Sequence, residues 1–166
     1  MTKLVLALLI ACNISAGTLK LTTEQKVKAL VAQLTGKKYV PYSFSSKKQM
    51  LEFVAELSRF YALDYKLVSG ILRQESLNCT KKLNTVTKDV GCMQINVRNI
   101  KARNWNYASI LHNDAVGILA GVLILREFKT AFSKKEPGSW PCRYNIGYRK
   151  LPETCLNYLN KIALAE

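Results

Sequence analysis

The sequence is poor in the residues that build metal centres and acidic surfaces. One histidine, His112, occurs in 166 residues, and no two cysteines form a CxxC pair. A zinc site of the usual Cys/His ligand sets is therefore not expected. Acidic residues number 11 against 25 Lys and Arg, a net charge of +14, so the partner expected for this surface is anionic. The basic residues fall in short pairs such as Lys37-Lys38, Lys47-Lys48 and Lys81-Lys82. No basic stripe interleaved with aromatics is formed, which argues against nucleic acid. Nor is there a Lys-rich amphipathic segment with a Trp-rich face, as a membrane-disrupting protein would need. No apolar run approaches the roughly 20 residues of a membrane span. Internal repeats, low-complexity tracts and strand-like alternation are absent too, which leaves an all-α domain as the expectation.

What is present begins with a leader. Met1-Thr2-Lys3 precedes the apolar run Leu4 to Ala11, and small and polar residues follow through Gly17. Residues 1–17 read as a secretory signal peptide, cut after Ala16 or Gly17. Leu9-Ile10-Ala11-Cys12 also resembles a lipoprotein box, which would leave Cys12 lipidated. Either way the chain is expected to be exported, to the periplasm or cell envelope. Residues 18–166, in a chain of 49% hydrophobic content, form one domain with a sizeable core. Four cysteines remain in it: Cys79, Cys92, Cys142 and Cys155. An even number in an exported chain implies two disulfides, with three connectivities open.

Helical periodicity organises most of the domain. Thr22 to Leu34 carries Val27, Leu30, Val31 and Leu34 on one side, and Gly36 ends it. A second helix starts near Ser46, where Ser46 and Gln49 fit a capping box; Met50, Val54, Leu57 and Tyr61 form its apolar face. Asp64 caps a third helix. From Asn78 to Asn113 the periodicity fades, and an irregular region of this length more often shapes a site than a core. Asn113 or Asp114 then caps a helix from about Ala115 to Phe132. It is apolar on every side over residues 115–125, and so is expected at the centre of the domain. Gly117 and Gly121, one turn apart, would permit close helix contact. Two shorter helices, Pro137 to Ile146 and Glu153 to Ala165, complete the chain around a turn from Gly147 to Pro152.

The third helix holds the residue of greatest interest. Leu67, Val68, Ile71 and Leu72 form its buried stripe, and the next position on that stripe is Glu75. Lost hydration favours the neutral carboxyl, and the negative end of the helix dipole acts in the same direction. A carboxyl that keeps its proton near neutral pH is what a general acid needs. The alternative is a core-edge Glu that bends out to water or pairs with a nearby Lys.

Three stretches stand in order along the chain: Glu75-Ser76, then Gly91-Cys92-Met93-Gln94-Ile95-Asn96, then Tyr144-Asn145-Ile146-Gly147. With the apolar helix between the second and third, this arrangement resembles the lytic transglycosylase family with a goose-lysozyme-like domain. The resemblance covers roughly residues 50 to 164. It is nearest to the small single-domain members that serve secretion, conjugation and pilus systems. It implies a lysozyme-like helical fold around a buried central helix and cleavage of peptidoglycan glycan strands at the MurNAc-GlcNAc bond. A monomer without metal or organic cofactor is expected.

By the same resemblance Glu75 is the sole acid and base, and Ser76 orients a substrate group or Glu75 itself. Met93 and Gln94 line the sugar cleft, Tyr144 hydrogen-bonds near Glu75 or the glycan, and Asn145 holds the backbone of its motif. Departures from the family pattern are Cys92 for the usual Leu, Gly117 where Asn is frequent, and Lys88-Asp89-Val90 in place of small residues. Cys92 is accommodated if it pairs with Cys79 and clips the cleft loop to the catalytic helix, leaving Cys142 to pair with Cys155. Asp89 is the nearby second acid, and sequence spacing alone does not place it. A hydrolytic lysozyme of the same fold and a non-catalytic wall-binding assembly protein are the competing expectations.

Overall fold

Most of the longer helices begin where a side chain can satisfy an orphan backbone N–H. The computed structural model describes residues 21–147 and 155–163. The expected leader over residues 1–17 with its Cys12, and all but the start of the turn expected over 147–152, lie outside the described residues. Helix α1, Thr23–Thr35, has a full capping box: the Thr22 hydroxyl accepts from Gln25 N, and Thr22 N donates to the Gln25 side chain. Helix α2, Lys47–Phe60, starts at Ser46, whose hydroxyl accepts from Gln49 N. The box expected there is only half formed, because Gln49 Oε1 accepts from the amide and hydroxyl of Ser45 instead. Helix α3, Tyr65–Ser76, is capped by Asp64 through Lys66 N and ends at Leu77, which is left-handed with φ 51°.

The region expected to be irregular has structure of its own. Strands β1 (Leu83–Asn84), β2 (Asp89–Val90) and β3 (Ile95–Asn96) form an antiparallel sheet in the order β1-β2-β3. Helices α4 (Val97–Ala102) and α5 (Tyr107–His112) follow. The fold is thus mostly α, as expected, with a small sheet that the all-α expectation did not include. The strands have two residues each, too few for a period of two to show in sequence. The helices have six each, under two turns.

Helix α6, Asp114–Phe132, runs through the centre, capped by Asn113 through Val116 N. Val116, Ile118, Leu119, Ala120, Val122 and Leu125 are all fully buried. They pack against α1, α2 and α5, whose contributions include Leu30, Leu34, Val54, Leu57 and Ile110. Each such Val, Leu or Ile stabilises the fold by about 1.5–3 kcal/mol. The single helix expected over 137–146 is instead a 3-10 turn, Trp140–Cys142, followed by the short α7, Arg143–Ile146. Pro141, which has no N–H to donate, favours that break. Helix α8, Cys155–Ala163, packs on α3. Among the described residues no helix is long and apolar enough to cross a membrane.

Cys79 and Cys92 lie at disulfide distance, with Cα atoms 4.3 Å apart, as do Cys142 and Cys155 at 5.5 Å. These are the two expected pairs. The Asp114 carboxylate sits beside the first pair, where Lys82 Nζ holds it at 3.0 Å.

Candidate active site

Glu75 sits at the edge of the buried stripe of α3, half-buried, while Val68, Ile71, Leu72 and Ser76 are closed off from solvent. It does not bend out to pair with a lysine. Tyr158 Oη, from α8, donates to Glu75 Oε1 at 2.9 Å. Gly70 permits this approach, since a Cβ there would come within 2.6 Å of Ile162 Cγ2 and 2.7 Å of Ile162 O. Burial raises the pKa of Glu75; the Tyr158 bond opposes the rise, and the negative charge of Asp89 adds to it. Burial and the charge of Glu75 push the Tyr158 hydroxyl far up as well, so it acts as a fixed donor.

Glu75 faces an open cleft of about 1050 Å³ whose lining also includes Asp89, Gln94, Tyr144 and Asn145. Gln94 adopts φ 47°, a conformation that non-glycine residues rarely take and that recurs at functional sites. Its side-chain amide donates to Lys81 O at 3.1 Å and Gly91 O at 2.9 Å. The side-chain carbonyl is the group left to meet a ligand. Tyr144 Oη donates to Met93 O at 2.7 Å, and burial raises its pKa, with Glu75 and Asp89 adding to the rise.

Asp89 is placed by the sheet. Its register partner across the β2–β3 pair is Asn96, and Asn96 Nδ2 donates to Asp89 Oδ1 at 2.7 Å and to Thr87 O at 2.8 Å. The same side chain caps α4, its Oδ1 accepting from Arg98 N at 3.0 Å. One asparagine thus orders the acid, the turn and the helix that form this wall of the cleft.

Two expected cleft residues lie behind the wall. Met93 is fully buried, and a Cβ on Gly121 would meet its side chain at 2.5 Å and Tyr144 Oη at 2.9 Å. The expected close contact at the α6 glycines is therefore with α5 at Gly117, where a Cβ would lie 2.9 Å from Ile110 O, but with the motif loop at Gly121. Ser76 is buried, its hydroxyl donating to Leu72 O at 3.2 Å and accepting from Cys79 N at 2.8 Å. It holds the end of α3 to the first cystine, and Tyr158 does the orienting of Glu75 expected of it. Asn145 is exposed on the cleft. Tyr158 and Asn96 were not anticipated. A tyrosine on the apolar face of α8 needs a partner for its hydroxyl, which was the one signal available.

Compared with protein-family profiles, curated proteins and solved structures, the chain matches none.

Proposed function

We propose that the protein is a peptidoglycan lytic transglycosylase with a lysozyme-like fold, Glu75 acting first as acid and then as base. The observation that carries this reading is Glu75 itself, a desolvated carboxyl on an open cleft with its pKa raised. The three segments behind the family resemblance supply Glu75, Gln94, Tyr144 and Asn145 to that one cleft, which supports it further. A groove of this size suits an extended polymer segment better than a small enclosed ligand.

In this mechanism Glu75 gives its proton to the oxygen bridging MurNAc and GlcNAc as the C1–O bond breaks. The carboxylate so formed is held by Tyr158. It then takes the proton of the muramoyl 6-hydroxyl, whose oxygen bonds to C1 and closes the 1,6-anhydro ring. Glu75 regains its proton and no water is consumed. Export to the cell envelope fits two cystines, and local wall opening for a secretion, conjugation or pilus machine is the role we assign. Asp89, on the same cleft, favours hydrolysis as a second reading. There it would take a proton from the water that attacks C1.

Purified protein incubated with isolated sacculi is expected to release muropeptides with anhydro ends. Glu75→Gln should lower the rate by about 10²–10⁴-fold, the usual worth of a positioned acid, with the circular dichroism unchanged. Free reducing ends would replace this reading with hydrolysis, and no release of either product would overturn both.

A further inference from the structure

The cleft carries more positive charge than cleavage of a sugar chain requires. Lys88, Arg98, Lys101 and Arg103 all line it. Arg103 is engaged, at 2.7 Å from Glu127 and over the Trp105 ring at 5.5 Å. Lys88, Arg98 and Lys101 are exposed and make no ion pair among the described residues, unlike Lys26, Lys82 and Arg143 elsewhere. The acids of the cleft, Glu75 and Asp89, are held by Tyr158 and Asn96 and not by these cations.

The three sit on a fixed frame. Arg98 and Lys101 are three apart on α4 and so share a face. Lys88 occupies the β1–β2 turn with φ 62°, and its carbonyl accepts from Val97 N at 3.0 Å, which ties the turn to the start of α4.

We propose that this wall, built from Lys88, Arg98 and Lys101, recognises carboxylates carried by the glycan strand, namely the free acids of its peptide stems. The inference rests on the reading of the cleft as a glycan site. In a peptide-bearing strand the lactyl carboxyl of each MurNAc is tied up in the amide to its stem, and the carboxylates left beside the bond to be cut are those of the peptide stems. Exposed pairs of this type are worth about twofold to fivefold in affinity per charge, and salt screens them.

The test uses the Glu75→Gln protein, so that binding is read without cleavage, in sedimentation with sacculi. One sample of sacculi is intact, and in the other the stem carboxylates are converted to amides. The added double substitution Arg98→Gln/Lys101→Gln is expected to weaken binding to intact sacculi about fourfold or more, from two such charges. It should have little effect on amidated sacculi, which the parent itself binds more weakly. Lys37→Gln/Lys38→Gln removes the same charge from exposed residues outside the cleft lining and should bind like the parent. Equal binding to intact and amidated sacculi, or an equal loss from the Lys37/Lys38 substitutions, would overturn the proposal. If the unsubstituted protein cuts no glycan but binding still depends on Arg98, Lys101 and free carboxylates, the catalytic reading fails and the carboxylate site stands.

Discussion

The two cystines join residues the same distance apart, 13 positions in each case, yet the segments they secure act on Glu75 in opposite directions. The first closes the hairpin of β1 and β2, which carries Asp89, a like charge that raises the pKa of Glu75. The second joins the start of α7 to the start of α8, from which Tyr158 reaches the same carboxyl and lowers it. The first segment has little core of its own to hold it. Between Cys79 and Cys92 only Val90 and Gly91 are buried, and Asn78, Cys79, Lys88 and Gly91 all have positive φ. A covalent tie takes the place of packing there, whereas α8 is also packed on α3 through its buried face.

Breaking the ties is expected to have the largest effect on this comparison. Cys79→Ala/Cys92→Ala and Cys142→Ala/Cys155→Ala should each cost about 3 kcal/mol for loops of this length, read as a lowered denaturation midpoint. Equal losses would mean that the ties act through loop entropy alone. A larger loss for the first pair would mean that the hairpin depends on its cystine for native geometry as well.

Changing the two opposing groups one at a time sharpens the comparison. A general acid works while protonated, so activity falls as pH rises through its pKa. Asp89→Asn removes the like charge, lowers the pKa of Glu75 and should move that fall to lower pH. Tyr158→Phe removes the donor that favours the carboxylate and should move it to higher pH. Rate–pH profiles that shift the same way for both variants would refute the opposed roles.

The smallest effect is on how stability depends on pH. The pKa of Glu75 is raised in the folded state. Its neutral form therefore favours folding below the unfolded value of about 4.3, and this contribution is lost as pH rises through the folded value. Glu75→Gln is neutral throughout. It should unfold at a higher temperature than the parent at pH 7, and the difference should vanish below about pH 4, as thermal melts at the two pH values would reveal.

What the sequence could disclose follows from the length of each signal. The apolar α6, the stripe of α3 that ends at Glu75 and the Asp64 cap each rest on patterns of several residues, and all are present. The sheet, α4 and α5 are too short to leave such a pattern. Tyr158 was hidden because it shares the buried face of α8 with Cys155 and Ile162 and so reads as core. The inward position of Ser76 was legible, since it lies four residues after Leu72 on the buried stripe while Glu75 sits at that stripe's edge. The family motif groups the two adjacent residues as a functional pair, although a helix turns them about 100° apart.

The hydrogen bond between Tyr158 and Glu75 spans 83 positions of chain, and this sets an order in time. Contacts between residues so far apart in sequence form later than local ones, because a long loop has to close first. A growing chain that has reached Glu75, its cap and its helix still has no Tyr158 to hold the carboxyl. Until α8 has been synthesised and docked on α3 at Gly70, the acid remains without its donor. The centre is finished last.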